Sequence, residues 1–245
     1  MKIVFLGTNG WYDTETGNSI CTLIETKDCY IILDAGNGIY KADRYIRRDK
    51  PVYLFISHFH LDHIIGLHIL AKFKFKSLTI FGQPGTKRIL ADFLSKKYSV
   101  PLSKIHYKNK VIDLHQGWHE KPFKFQCLKL AHASPCFGYR FEIENKIISY
   151  CIDTGYCQNA VKLAKKADLL ISECSFFGKI DPNWPHLNPE FAAKLAMESG
   201  AKKLLMTHFD ANVYRTISKR KKSEKIARNI FNNSNAAMDD MEINI

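Results

Sequence analysis

The sequence predicts an α/β (α+β) domain in which two β-sheets pack face to face with helices on the outside, an αββα sandwich. Three observations carry this expectation. Strand-like and helix-like runs alternate, and the β-rich block that opens the chain returns in its middle, so the pattern reads as two similar halves. The longest apolar runs, such as residues 52–56, are strand-sized and far below the ~18–20 residues of a membrane span. No repeat or linker divides the 245 residues before a basic stretch begins near residue 210. Residues 1–210 therefore read as one domain, and 211–245 as a basic C-terminal extension packed on it.

The elements follow in order. Strands are expected at residues 2–6, 19–26 and 30–33, the last two joined by a turn at Lys27-Asp28 as a hairpin. Gly7 to Gly10 and Asp34-Ala35-Gly36 end strands in loops. A helix near 38–48 leads to Pro51 and the apolar strand 52–56. Apolar spacing then predicts a helix at 64–73, a strand at 78–81 and a helix at 86–94. Residues 123–130, 138–144 and 146–152 form a second β-block, with a tight turn at Glu144-Asn145. Helix 159–166, strand 169–172, helix 189–199 and strand 203–206 complete the pattern, Asn188 capping the second helix and Pro189 opening it.

Composition narrows the function classes. With 46% hydrophobic and 24% charged residues the chain is neither disordered nor fibrous. No signal-like apolar segment follows Met1, which points to a cytoplasmic protein without a membrane partner. The seven cysteines form no C-x-x-C pair and read as reduced core thiols. A net charge of +12 favours polyanionic partners such as nucleotides or nucleic acid, and reads equally well as a solvated lysine surface.

Chemistry concentrates in Ser57-His58-Phe59-His60-Leu61-Asp62-His63, directly after the strand 52–56. Imidazole nitrogens and carboxylate oxygens are zinc ligands, and a site with open positions activates water at neutral pH. His132, Asp153 and His208 recur where later strands end, so a sandwich would bring them to one edge.

This pattern resembles the metallo-β-lactamase superfamily, over residues 1 to about 209. The resemblance implies one metal held by His58, His60 and His132, a second held by Asp62, His63 and His208, and Asp153 bridging them. The implied cofactor is two Zn²⁺ per chain, with Mn²⁺ or Fe²⁺ as alternatives. The opening Phe5-Leu6-Gly7-Thr8 is similar to the start of ribonuclease Z and its small phosphodiesterase relatives. His186, ahead of Leu205-Met206-Thr207-His208, resembles that branch's catalytic histidine, and Ser172-Glu173 its His-Glu motif with Ser172 in the histidine's place. The branch's long arm is missing, since His132 and Asp153 are only 21 residues apart and two strands use most of that length. The Pro- and Arg-containing loop near the first hairpin is replaced by residues 12–19, and the usual His-Ser-Thr by His186-Leu187-Asn188.

Asp62, His186 and Glu173 are the candidate catalytic residues. His186 reads as a general acid for the departing alkoxide, oriented by Glu173, or as a plain loop residue beside Asn188. Asp34 reads as a partner for a ligand histidine or as a turn former. Trp184 suits either packing or stacking on a base, and the basic run 215–228 either phosphate contact or a solvated helical face. His68, His106, His115 and His119 are assigned to structure or surface.

Together these features predict a dinuclear zinc hydrolase that cleaves a phosphodiester, in a cyclic nucleotide, a cyclic phosphate or a short single-stranded RNA, by attack of a metal-bound hydroxide. The alternatives are lactone, ester or thioester hydrolysis on the same centre, an arm-free tRNA 3′-processing endonuclease, or a binding protein with structural metals. A homo-oligomer is compatible with this reading.

Overall fold

The computed structural model describes residues 1–245. Its first half runs β1 (Lys2–Gly7), the two-residue β2 (Asn9–Gly10), β3 (Cys21–Glu25), β4 (Tyr30–Leu33), a 3-10 helix (Asn37–Arg44) and β5 (Val52–Phe55). There follow α1 (Leu61–Ile64), which continues as a 3-10 helix (Ile65–Lys72), then β6 (Ser77–Gly82), α2 (Thr86–Phe93), a 3-10 turn (Leu102–Lys104) and β7 (Lys108–Asp113). The second half runs β8 (Gly117–His119), β9 (Lys124–Lys129), β10 (Phe137–Ile143), β11 (Lys146–Cys151), α3 (Gln158–Ala164), β12 (Leu169–Glu173), α4 (Pro189–Ser199) and β13 (Leu204–Thr207). It closes with β14 (Phe209–Asp210), α5 (Ile217–Arg228), β15 (Ser234–Ala236) and β16 (Met241–Asn244).

Two seven-stranded sheets result, in the orders β16-β1-β3-β4-β5-β6-β7 and β15-β13-β12-β11-β10-β9-β8. Each is antiparallel at one side and parallel at the other: β4 to β7 run parallel in the first, β11, β12, β13 and β15 in the second. Helices cover both outer faces, so the central strands are buried on both sides and read as unbroken apolar runs. In β1, Ile3 and Phe5 face the opposite sheet while Val4 and Leu6 face the helical layer. Between the sheets Phe55 stacks on Phe81 at 4.8 Å and meets Phe125, Tyr139 and Phe141 edge-on at 5.1, 5.3 and 4.9 Å. No helix is long and apolar enough to cross a membrane.

Every expected strand is present with ends shifted by at most two residues. The helix expected at 64–73 is instead one α-turn followed by 3-10 geometry. The cause lies in its backbone bonding: His63 O accepts from Ala35 N and Gly66 N donates to Ala35 O, both at 2.8 Å. Those groups leave the α-ladder to pin the loop that follows β4. Beyond residue 210 the chain supplies an edge strand to each sheet, and within the basic run Arg220 is wholly buried rather than solvated.

Candidate metal centre and active site

The candidate residues converge because each lies just past the C-terminal end of a strand. Asp34 follows β4, His58 to His63 follow β5, His132 follows β9, Asp153 follows β11, Glu173 ends β12 and His208 follows β13. Strands packed side by side deliver their ends to one edge, where loops need not continue the ladder. Trp11, Asp34, Asp153 and His208 all hold left-handed backbone, with φ of 75, 56, 53 and 53°. Non-glycine residues persist there only when their surroundings impose it. Gly10 is required by close approach, since a Cβ on it would lie 2.6 Å from the His208 ring.

Three groups of ligand-type atoms form, one of them Asp153, Glu173 and His186. Of the other two, His58, His60, His132 and Asp153 make one and Asp62, His63 and His208 the second, with all ligand atoms in each group within 4.8 Å of one another. Asp153 faces both. Its Oδ2 is 3.2 Å from His58 Nε2, 3.7 Å from His132 Nε2 and 3.5 Å from His63 Nε2, while its Oδ1 is 3.0 Å from His208 Nε2. His208 Nε2 is also 3.2 Å from Asp62 Oδ2. Despite these short distances, His58 Nε2 and Asp153 Oδ1 are buried without a partner in hydrogen-bond geometry. Buried polar atoms of this kind are costly unless something else meets them. That arrangement fits cations, and five imidazoles with two carboxylates suit zinc-like ions with water completing the coordination.

A surrounding layer orients these ligands. Asp34 accepts from Ser57 N at 2.7 Å, Ser57 Oγ and Tyr150 OH at 2.8 Å each, and His63 Nδ1 at 2.9 Å. An acceptor at Nδ1 fixes the tautomer that leaves His63 Nε2 free as a ligand. Ser175 Oγ lies 3.1 Å from His208 Nδ1, and the Trp11 N–H donates to Asp62 Oδ2 at 2.8 Å. Ser57 was visible inside the histidine string, but Trp11, Tyr150 and Ser175 carry no sequence signal, because their contacts join separate segments.

Electrostatics divides the cluster. Burial outweighs the nearby acids at His58, His60 and His132 and lowers all three, His132 to about 3. At His63 and His208 burial is overcome by Asp62, Asp34 and Asp153, and both imidazoles are raised, His208 to about 10. Burial would raise Asp62 and Asp153, but His63 and His208 hold both carboxyls well below the ordinary range.

Beside the cluster, His186 Nδ1 lies 2.9 and 3.1 Å from the two carboxylate oxygens of Glu173. Glu173 is buried and also accepts from Thr154 N and Leu187 N. Burial would lower His186, but Glu173 prevails and raises it. With Nδ1 engaged, Nε2 is the ring nitrogen left for a ligand. His186 lines a cleft of about 620 Å³ together with His60, Asp62, Asp153, His208 and Trp184. Trp184 stands half exposed at its rim, 6.2 Å from the His132 and His186 rings.

Comparison with known proteins agrees with this geometry. Residues 30–209 match the family model described as a beta-lactamase superfamily domain. A probable metallo-hydrolase, YhfI of Bacillus subtilis, is 29% identical over 219 residues, covering 85% of this chain and 86% of that protein. The crystal structure of the metallo-beta-lactamase fold protein YhfI superposes with a TM-score of 0.81 at 25% identity, covering 99% of this chain and 98% of that one. Ribonuclease Z of Bacillus velezensis is 24% identical over 310 aligned positions, covering 100% of this chain and 99% of that protein. Because that alignment is longer than this chain, the ribonuclease carries insertions that this chain lacks. The match spans the strands from β4 to β13 that carry the ligand-type side chains, and the chain belongs to the metallo-β-lactamase superfamily of metal-dependent hydrolases.

Proposed function

We propose that the protein is a phosphodiesterase using two zinc ions, one on His58, His60 and His132, the other on Asp62, His63 and His208, with Asp153 shared between them. The observation that carries this reading is the position of Asp153 between the two groups, its carboxylate 3.2 Å from His58 Nε2 of one and 3.0 Å from His208 Nε2 of the other. Ions bound there would supply Lewis acidity, lowering the pKa of a coordinated water and drawing charge from the phosphoryl oxygens.

The chain's own residues do the rest. Asp34, Ser175 and the Trp11 N–H hold His63, His208 and Asp62 in place. Glu173 orients His186 and favours its cationic form, whose Nε2–H serves as the proton donor to the departing alkoxide. A donor of this kind matters most when the leaving oxygen is strongly basic, as in a sugar alkoxide. The +12 charge supports an anionic substrate. Seven unpaired thiols, six of them buried, support a reducing, cytoplasmic setting.

The test is turnover of the zinc-loaded protein on a nitrophenyl phosphodiester, cyclic nucleotides, a cyclic phosphate, short RNAs and a lactone. The phosphodiesters should exceed the lactone in kcat/KM by at least about tenfold, a difference of ~1.4 kcal/mol in the barrier. Faster lactone turnover overturns the proposal in favour of carbonyl chemistry.

A further inference from the structure

The cleft that holds His186 is not the only cavity at the centre. A second, also of about 620 Å³, opens on the other side of His60, the one ligand-type residue lining both. Its walls come from the loops after β6 and β7 and from the turn after His132. Phe59 and Phe137 give it apolar faces, while Gln83, Ser134, Lys129 and His115 give it polar groups. Gln83 is 5% exposed, and the Ser134 hydroxyl is buried without a hydrogen-bond partner. A buried, unpaired hydroxyl is costly unless something meets it. Each cavity falls within the ~300–1,000 Å³ of pockets that enclose drug-sized molecules.

We propose that this second cavity is a subsite for the group that stays on the phosphorus, and that the substrate is a linear diester with a separate nucleoside body on each side of the phosphate. The inference rests on the phosphodiesterase reading and narrows it. The phosphorus would lie beside His60, the residue that lines both cavities. The leaving alcohol occupies the cavity of Trp11, Trp184 and His186, because the proton donor lines only that side. The retained nucleoside occupies the other, where the Gln83 amide offers both a donor and an acceptor to a heterocycle edge and Lys129 offers charge. Water's oxygen forms the new P–O bond and its proton passes to solvent. The P–O bond to the alcohol breaks, its electron pair leaves on oxygen, and His186 protonates that oxygen. A cyclic mononucleotide has one body and fills only one cavity.

Two measurements decide this. On zinc-loaded protein, kcat/KM for a dinucleotide should exceed that for a 2′,3′-cyclic mononucleotide by at least tenfold. The Gln83→Ala and Ser134→Ala variants should each shrink that ratio about 3- to 10-fold, the value of one hydrogen bond. On metal-free protein, dinucleotides with 4-thiouracil in one half are photocrosslinked and mapped by mass spectrometry. The retained half should mark residues 83–89 or 129–137, and the leaving half the segments around Trp11 and Trp184. Crosslinks of both halves to the Trp11–Trp184 side, with an unchanged ratio in both variants, overturn the subsite and leave the phosphodiesterase reading standing. Absence of turnover on every phosphodiester, with a lactone turned over, overturns both.

Discussion

Replacing Arg220 by methionine should disturb the metal centre more than it disturbs folding. Arg220 lies on α5, is wholly buried, and donates to Thr8 Oγ1 at 2.7 Å, to Thr16 Oγ1 at 3.3 Å and to Asn9 Oδ1. Asn9 in turn donates to Tyr12 O at 3.1 Å and to Gly17 O at 2.8 Å, closing the loop that carries Gly10 and Trp11 against His208 and Asp62. Burial pushes the guanidinium down to about 10 from its ordinary 12.5. At ~1.4 kcal/mol per pH unit, that opposes folding by about 3 kcal/mol. Three charge-assisted hydrogen bonds, at about 1.5 kcal/mol each, outweigh it slightly. Methionine relieves the first contribution, forfeits the second and puts a thioether where the guanidinium lies over the Phe209 ring at 4.7 Å, so the net loss is about 1–2 kcal/mol, or a Tm lower by roughly 2–8 °C. The freed loop no longer fixes the Trp11 N–H on Asp62, and loss of such an orienting contact typically costs 10- to 100-fold in metal affinity. Differential scanning fluorimetry of metal-free protein gives the first quantity, and zinc competition with a chelating dye the second. Affinity within threefold of wild type would show that the loop holds itself. A Tm drop beyond about 15 °C would show that Arg220 supports the whole sandwich instead. Arg220→Lys should not rescue, because one ammonium on a thinner stem cannot reproduce a planar fork reaching three acceptors.

Three other outcomes are expected. His186→Ala should keep its metals and lose about 10²- to 10⁴-fold in turnover on alkyl phosphodiesters, with a smaller loss on nitrophenyl esters; metal loss, or equal slowing on both, would remove it as the proton donor. Asp153→Ala should abolish activity with little change in circular dichroism, and elemental analysis of wild type should give about two metals per chain; full turnover in the loaded variant would refute the shared ligand. Metal binding should be proton-linked unevenly. His58, His60 and His132 are lowered and already neutral near pH 7, whereas His63 and His208 are raised and must shed protons to bind. Affinity of the second ion should therefore fall up to about 100-fold per unit as pH drops from 8 to 6, with the first nearly flat. Calorimetric titration at three pH values checks this, and equal slopes would contradict it.

Read without coordinates, the sequence determines the interior of this protein and the identity of its ligand-type side chains. Strands such as β1, β4 and β5 announce themselves because both faces are buried, which forces apolar residues at nearly every position. The short spacing of His58, His60, Asp62 and His63 places them together whatever the rest of the chain does. Tertiary structure decides the margins. Sequence patterning misses six strands: β2 and β14, which are two residues each and pair with one another, and β7, β8, β15 and β16, which are the four edges of the large sheets. Edge strands are short, polar and half exposed, so they carry little apolar signal, as Ser234-Asn235-Ala236 illustrates. Tertiary structure likewise decides which supports reach the site. Arg220 sits in a lysine-rich run that reads as surface, and only the packing of α5 against the loop after β1 turns its side chain inward. Trp11, Ser175 and Tyr150 act through contacts 33 to 116 residues away in the chain. Local pattern has no means of encoding such distances, because they depend on how two sheets meet.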